Sequence, residues 1–264
     1  MSGANSVTSN QETIHKDLEE VVRKYARTTF LRPIADHTRE AFAEAEEFVR
    51  KFYGNAGTAP SAVIIDSGCG TGESTIHIAR RFPGIPVIGI DKSCARLNKA
   101  GNPAQTAGEE IPANAFWIRA ELLDFWRLAL DHVKSGEWTI PYHAVYYPNP
   151  WPKQSEATRR FHMHPIFPTL LALGNTIELR TNWEIYAREF AEAARIVLSA
   201  QIPDQVRNDE GAERCRNMQA CFYTRGGTKI TCESFEPVAP ETAFERKYKE
   251  AGQTLWKVEI GFRS

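Results

Sequence analysis

The sequence predicts an α/β fold, a Rossmann-like, doubly wound and mostly parallel sheet of about seven strands with an N-terminal helical extension. Three observations predict it. From residue 62 onward, short apolar runs alternate with stretches of helical periodicity. The first run ends in a glycine loop that opens a helix, and the second ends in a carboxylate. The chain divides accordingly into residues 1–58, a tail and helical extension, and residues 59–264, the α/β domain.

Residues 1–10 are small and polar and read as a disordered tail. From Glu12 to Arg27 apolar residues recur at helical spacing, with Ile14, Leu18, Val21, Val22 and Tyr25 on one face. Asp36 to Tyr53 repeats the pattern with Phe42, Ala45, Val49 and Phe52. Strands follow at Ala62–Asp66, Pro86–Asp91, Ala115–Ile118, His143–Tyr147 and Thr176–Arg180. Helices are expected at Glu73 to about Phe82 and at about Glu121 to Val133. Thr181 to Glu184 reads as a capping box opening a helix that runs to about Val197. The polar segment 201–217 reads as a mobile loop or insertion. Strand character returns at Lys229–Phe235 and Leu255–Phe262, with a short helix at Thr242–Lys249 between them.

Composition narrows the possible functions. A chain of 264 residues with 42% apolar content can bury a substantial core. A formal net charge of -1 gives no global attraction to polyanions, so nucleic-acid binding has to come from a local basic patch. No apolar run is long enough for a membrane span or a signal peptide. Cys69, Cys94, Cys215, Cys221 and Cys232 are odd in number and lack a C-x-x-C pair, which predicts a reduced, cytoplasmic setting without structural zinc. His162 and His164 alternate without a third ligand, and no metal is expected.

The chemistry begins at Asp66-Ser67-Gly68-Cys69-Gly70-Thr71-Gly72, between the first strand and its helix. Glycines there let the backbone turn tightly and approach a ligand. A dinucleotide fingerprint wants G-x-G-x-x-G with a pyrophosphate on the helix N-terminus. Here the spacing is G-x-G-x-G, and Glu73 stands where the last glycine belongs. A carboxylate at that point opposes a pyrophosphate and suits a cationic ligand. S-adenosylmethionine, a sulfonium and an ammonium without phosphate, is such a ligand. Gly68 and Gly70 would cradle it and Asp66 would meet its methionine end. Asp91, closing the second strand, is placed to accept from ribose hydroxyls. Ala120 and Glu121, after the third strand, fall where such folds put a group against adenine; Glu121 reads equally as an exposed first-turn helix residue.

After the fourth strand comes Tyr146-Tyr147-Pro148-Asn149-Pro150-Trp151-Pro152-Lys153. Three prolines fix an extended path and hold Asn149 among them beside the methyl donor, while Trp151 offers a stacking face. This motif, with Arg159-Arg160, Thr181-Asn182 and Thr242-Ala243-Phe244-Glu245, resembles the bacterial tRNA (guanine-N7)-methyltransferases over roughly residues 60–262. That family carries P-D-P-W-x-K, a basic run with R-R, a T-D and a T-x-F-E segment. The resemblance implies a class I methyltransferase fold, S-adenosylmethionine as donor and tRNA as partner. It implies Asn149 and Glu245 as catalytic residues. Lys153, Arg159 and Arg160 would meet phosphates, and Asn182, Thr242, Phe244 and Glu245 would meet the substrate. The chain departs from the pattern at Asn149 and Asn182, where the family has aspartates, at Arg119, where an acid is usual, and at Ser155-Glu156, where the family has R-H. A different methyl acceptor and a silent donor-binding module stay open as alternatives.

Overall fold

The computed structural model describes residues 6–54, 60–100, 110–199 and 228–262. Two helices come first, α1 (Leu18–Ala26) and α2 (Asp36–Tyr53). The α/β portion then runs β1 (Ser61–Ala62), β2 (Ile64–Ser67), α3 (Glu73–Arg81), β3 (Val87–Asp91), α4 (Cys94–Leu97), β4 (Ala115–Arg119) and α5 (Leu122–Ser135). It continues with β5 (Trp138–Thr139), β6 (Tyr142–Tyr146), α6 (Phe167–Leu173), β7 (Thr176–Thr181), α7 (Glu184–Ser199), β8 (Thr228–Phe235), α8 (Ala243–Glu250) and β9 (Leu255–Phe262). Two 3-10 turns, Gln154–Arg159 and Phe161–Met163, follow β6.

Seven strands form one sheet in the order β4-β3-β2-β6-β7-β9-β8. The pairings from β4 to β7 are parallel, and β9 runs antiparallel to both β7 and β8. The order reverses at β2, which lies between β3 and β6, and the crevice beyond the carboxyl ends of those strands is where open α/β sheets take ligands. Every residue of β2, β3 and β6 is buried, because helices cover both faces of the parallel part. Alternation sorts the side chains: Ile64, Val87, Tyr142, Ala144 and Tyr146 pack toward Ile78 and Ala79 of α3. Ile65, Ile88, Ile90 and Val145 pack with the helices of the opposite face.

The helical extension shares that second core. Leu18 and Val22 of α1, and Phe42, Ala45 and Val49 of α2, are buried in it. α1 lies on α7, and α2 on α5 and β4. The entry to α2 lacks a side-chain cap of its own; the Ala35 N–H, just before it, donates instead to Asp124 of α5 at 3.1 Å. Gly54 and Gly136, both at positive φ, close α2 and α5.

Three expectations change. Residues 6–10 are not a loose tail: Val7 packs on the core, and the Ser9 hydroxyl donates to the Pro152 carbonyl at 2.7 Å. The first helix starts at Leu18, because the His15 N–H turns away to Glu189. Thr181 is the last residue of β7, its hydroxyl accepts the Trp183 N–H, and α7 starts at Glu184, so no capping box forms there. The segment 201–217 lies outside the described residues.

Candidate functional site

The glycine loop after β2 is held through its backbone. Gly68, Gly70 and Gly72 have φ of 77°, 60° and 75°, a region that side chains rarely tolerate. The Gly68 and Cys69 N–H groups donate to the Ile90 carbonyl, and the Gly70 N–H to the Asp91 carboxylate at 3.1 Å. The glycines differ in purpose. A β-carbon at Gly68 or Gly70 would meet nothing within 4 Å, whereas one at Gly72 would lie 2.3 Å from the Trp117 indole nitrogen. The first two leave a cradle; the third makes room for Trp117 under the loop.

Asp66 is buried beneath this loop. Its Oδ2 accepts from the Ser74 and Thr75 hydroxyls, each at 2.7 Å, while Oδ1 is buried and has no partner among the described residues. Burial pushes its pKa up to about 6, against the lowering effect of the two hydroxyls. Asp91 Oδ1 takes the Ser93 N–H at 2.7 Å and pairs with Arg96 at 3.0 Å. Among the described residues its Oδ2 takes only the Gly70 N–H, so acceptor capacity is left. The Ala120 N–H donates to the Asp91 carbonyl, which brings Ala120 and Glu121 to the same end of the sheet. Glu121 stands at the start of α5, half-buried, its N–H on Thr38.

The proline loop after β6 is strained. Tyr147 and Trp151 bracket Pro148-Asn149-Pro150 at φ 51° and 44°, and for bulky residues such values mark a conformation imposed by the surroundings. The Tyr147 N–H is fixed on the Arg180 carbonyl at 2.8 Å. Exposed Asn149 accepts the Trp151 N–H at 3.2 Å. Lys153 and Arg159 are exposed; Arg159 pairs with Glu156 at 3.0 Å and lies over the Trp151 ring, 4.6 Å from its centroid. Asn182 donates to Gln253 at 3.0 Å. Phe244 is exposed and forms an aromatic group with Tyr147 and Tyr248, at centroid distances of 5.7–6.3 Å.

Two expected substrate contacts are corrected. Arg160 is wholly buried and pairs with Glu189 at 2.7 Å, so it is withdrawn from the phosphate-binding run. Glu245 is also wholly buried. Its Oε1 takes Arg180 at 2.8 Å and its Oε2 takes the Glu241 N–H at 2.7 Å, while its own N–H is capped by the Thr242 hydroxyl. Both carboxylate oxygens are thus spent inside the protein. Thr242 is a helix cap, since β-region geometry at that residue starts α8.

The sequence reading missed what surrounds these groups. Arg180 also binds Glu178 at 2.5 Å and Glu241 at 3.2 Å, and Glu178 accepts from the Tyr142 hydroxyl at 2.8 Å. Burial raises the carboxyl of Glu178, but Arg180 outweighs it and the net shift is downward. A glutamate and an arginine two residues apart within a strand were the available signal. Among the described residues Glu46, His132 and Glu137 also bring ring nitrogen and carboxylate oxygens within 4.8 Å, a grouping the spacing did not suggest. His162 binds Glu189, and His164 packs on Phe30.

Comparison with known proteins follows the same outline. Residues 60–258 match the family described as "Putative methyltransferase". Over 138 residues the chain is 32% identical to the tRNA (guanine-N(7)-)-methyltransferase of Mycolicibacterium gilvum, covering 49% of either chain. Over 196 residues it is 26% identical to the protein of that name from Neisseria meningitidis serogroup C, covering 73% of this chain and 68% of that one. The chain thus spans about half the length of the first relative and about two thirds of the second. The crystal structure of a 16S rRNA methyltransferase, KamB, aligns over 96% of this chain and 98% of that one, with 17% identity and a TM-score of 0.44. No helix among the described residues is long and apolar enough to cross a membrane.

Proposed function

The chain belongs to this methyltransferase family, as a divergent member alongside the tRNA (guanine-N7)-methyltransferases, and from that premise we propose that it methylates N7 of a guanine in tRNA with S-adenosylmethionine as donor. The observation that carries the donor is the unpartnered, buried Asp66 Oδ1 under the open cradle of Gly68 and Gly70. A buried carboxylate oxygen without a donor is costly, and a bound ammonium group satisfies it. Asp91 Oδ2 has room for a ribose hydroxyl, and Ala120 and Glu121 flank the adenine. When bound, S-adenosylmethionine supplies an electrophilic methyl group.

Guanine N7 has a free lone pair, so no side chain has to remove a proton before attack. The protein's task is to hold the base in line, a proximity effect. Asn149 orients the base by hydrogen bonding at the mouth of the strained loop. Tyr147, Phe244 and Tyr248 give the base an aromatic platform, and Lys153 and Arg159 meet backbone phosphates. Glu245 serves this site from behind, by fixing Arg180 and the start of α8, and touches no substrate.

Incubation with radiolabelled donor and bulk tRNA, followed by nucleoside analysis, tests the reading. N7-methylguanosine is the expected product. Another methylated nucleoside means a different acceptor, and donor binding without transfer means a silent module. Asn149→Asp sharpens the result. Its carboxylate keeps the Trp151 N–H bond and adds charge near the growing positive charge of the base, so the rate should rise about tenfold to a hundredfold, roughly 1–3 kcal/mol. A lower rate on the same tRNA makes Asn149 an adaptation to another acceptor.

A further inference from the structure

The loop that bears Asn149 is held from behind by a buried group that includes the N-terminal segment. Trp151, at φ 44°, is fixed at both of its backbone polar atoms. Its N–H goes to Asn149, and its carbonyl accepts from Arg160 Nε at 3.2 Å and Nη2 at 2.9 Å. Arg160 has no exposure, and each nitrogen of its fork has a partner: Nη1 donates to Glu189 at 2.7 Å, and Nη2 also donates to the Gln11 side-chain oxygen at 3.0 Å. Gln11 in turn donates to Glu189 at 2.6 Å, and the His15 N–H reaches the same carboxylate oxygen at 2.7 Å. One residue further along the loop, the Pro152 carbonyl accepts from Ser9.

We propose that residues 9–15 are a strap that sets the geometry of the Pro148–Pro152 loop, with Gln11, Arg160 and Glu189 as positioning residues for methyl transfer. The strap supplies what the loop cannot. A bulky residue in the left-handed region returns to an ordinary conformation unless its neighbours over-determine it. The prolines at 148, 150 and 152 have no N–H with which to anchor the segment, so its carbonyls carry the load. Two of those carbonyls, at Trp151 and Pro152, end on the strap or on the arginine it completes. Without Gln11, the Arg160 fork keeps Glu189 but loses the group that fills its other side. The proposal rests on the methyltransferase reading for its catalytic consequence, and on geometry alone for the coupling of strap to loop.

Three variants test it in the full chain. Gln11→Ala and Ser9→Ala release the strap and leave the Arg160–Glu189 pair whole, so the fold is retained. Arg160→Lys keeps a cation for Glu189 but, as a single point donor, does not also span to the Trp151 carbonyl. Amide hydrogen exchange over residues 147–153 is the direct readout. The expected result is exchange at least tenfold faster in that segment for Gln11→Ala and Arg160→Lys. Exchange in β3 and calorimetric affinity for S-adenosylmethionine should stay unchanged. With tRNA, kcat should fall about tenfold or more while KM for the donor holds. Unchanged exchange at 147–153 in both variants overturns the strap. Uniformly faster exchange across the protein also overturns it, because the network is then ordinary core support. Wild-type protein that transfers no methyl group to tRNA sinks the functional reading, and the exchange result still decides the coupling by itself.

Discussion

The glycine loop after β2 and the proline loop after β6 stand on neighbouring strands, yet they are held by opposite means. The glycine loop is fixed by near neighbours: Ser74 and Thr75 on Asp66, Ile90 and Asp91 on the loop amides. Its charged group, Asp66, is left with a free oxygen. The proline loop is fixed from far away, by Gln11 across 149 residues to Arg160 and by Ser9 across 143 to Pro152. Its charged groups, Arg160 and Glu189, are fully paired. One end therefore stores binding capacity and the other stores structure. Substitutions at the first should appear as donor affinity, and at the second as stability and loop order.

The largest effect expected from that contrast is on folding. Arg160→Ala leaves Glu189 buried with neutral donors only, since burial holds His162 toward its uncharged form. Removing one partner of a buried pair costs about 3–5 kcal/mol, measurable by urea unfolding at pH 7. Asp66→Asn should cost far less, because burial already disfavours its charge. A loss under about 1 kcal/mol for Arg160→Ala would place the pair with solvated surface pairs and remove the contrast. The pH dependence has a definite sign. Burial pushes Glu189 up, but bonds from His162, Arg160 and the His15 N–H prevail and hold it at about 2, below its usual 4.5. The stability it contributes is present above pH 4.5 and is lost as pH falls from there toward 2.

A smaller effect is expected at the donor end, with the opposite sign of shift. Asp66 is raised from 3.8 to about 6, so the folded protein holds that proton more tightly than the unfolded chain does. Stability from this group is greatest below pH 3.8 and is lost as pH rises through 6. A cationic ligand favours the carboxylate. Donor affinity should therefore be full above pH 7 and weaken about tenfold by pH 5, one unit below the folded value. Calorimetry with S-adenosylmethionine at the two pH values measures this. Asp66→Asn should show a flat profile, and an equally flat wild-type profile takes Asp66 out of the site.

What the sequence showed follows the same division. The position of Asp66, Gly68, Gly70 and Asp91 at the ends of adjacent strands was legible because strand, turn and helix are local events with fixed spacing, and the sheet brings their ends together. Strand boundaries held within a residue or two for the same reason. The burial of Arg160 and Glu245 was not legible, because a motif reports residue type and order, while exposure depends on which distant partner arrives. Glu189 sits in the middle of α7 and Gln11 between the polar tail and the first helical stretch; neither carries a local pattern linking it to Arg160. The capping box expected at Thr181 does not form, whereas at α8 the Thr242 hydroxyl does cap the Glu245 N–H; the same T-x-x-E pattern occurs at both places and only the context decides its use.

The smallest effect concerns the surface of the proline loop, where the contrast between its ends is easiest to sharpen. With Arg160 removed from the basic run, Lys153 and Arg159 remain as exposed cations of the segment after β6. They are not equivalent. Lys153 has no ion-pair partner among the described residues, whereas Arg159 already pairs with Glu156 and lies on Trp151. A cation that meets a phosphate releases a counterion and contributes about 0.7–0.9 to the slope of log affinity against log salt. Lys153→Ala should lower the tRNA salt slope by nearly that amount. Arg159→Ala should lower it by less, because breaking the Glu156 contact offsets part of the gain on binding. Donor affinity should be the same in both variants, since among the described residues no hydrogen bond or ion pair links either side chain to the glycine loop. Filter binding of tRNA from low to moderate salt measures the slopes. If Arg159→Ala flattens the slope more than Lys153→Ala, the Glu156 pair opens on binding and Arg159 is the principal phosphate contact. If neither changes the slope, the loop's cations are solvated, and RNA meets the protein on another face.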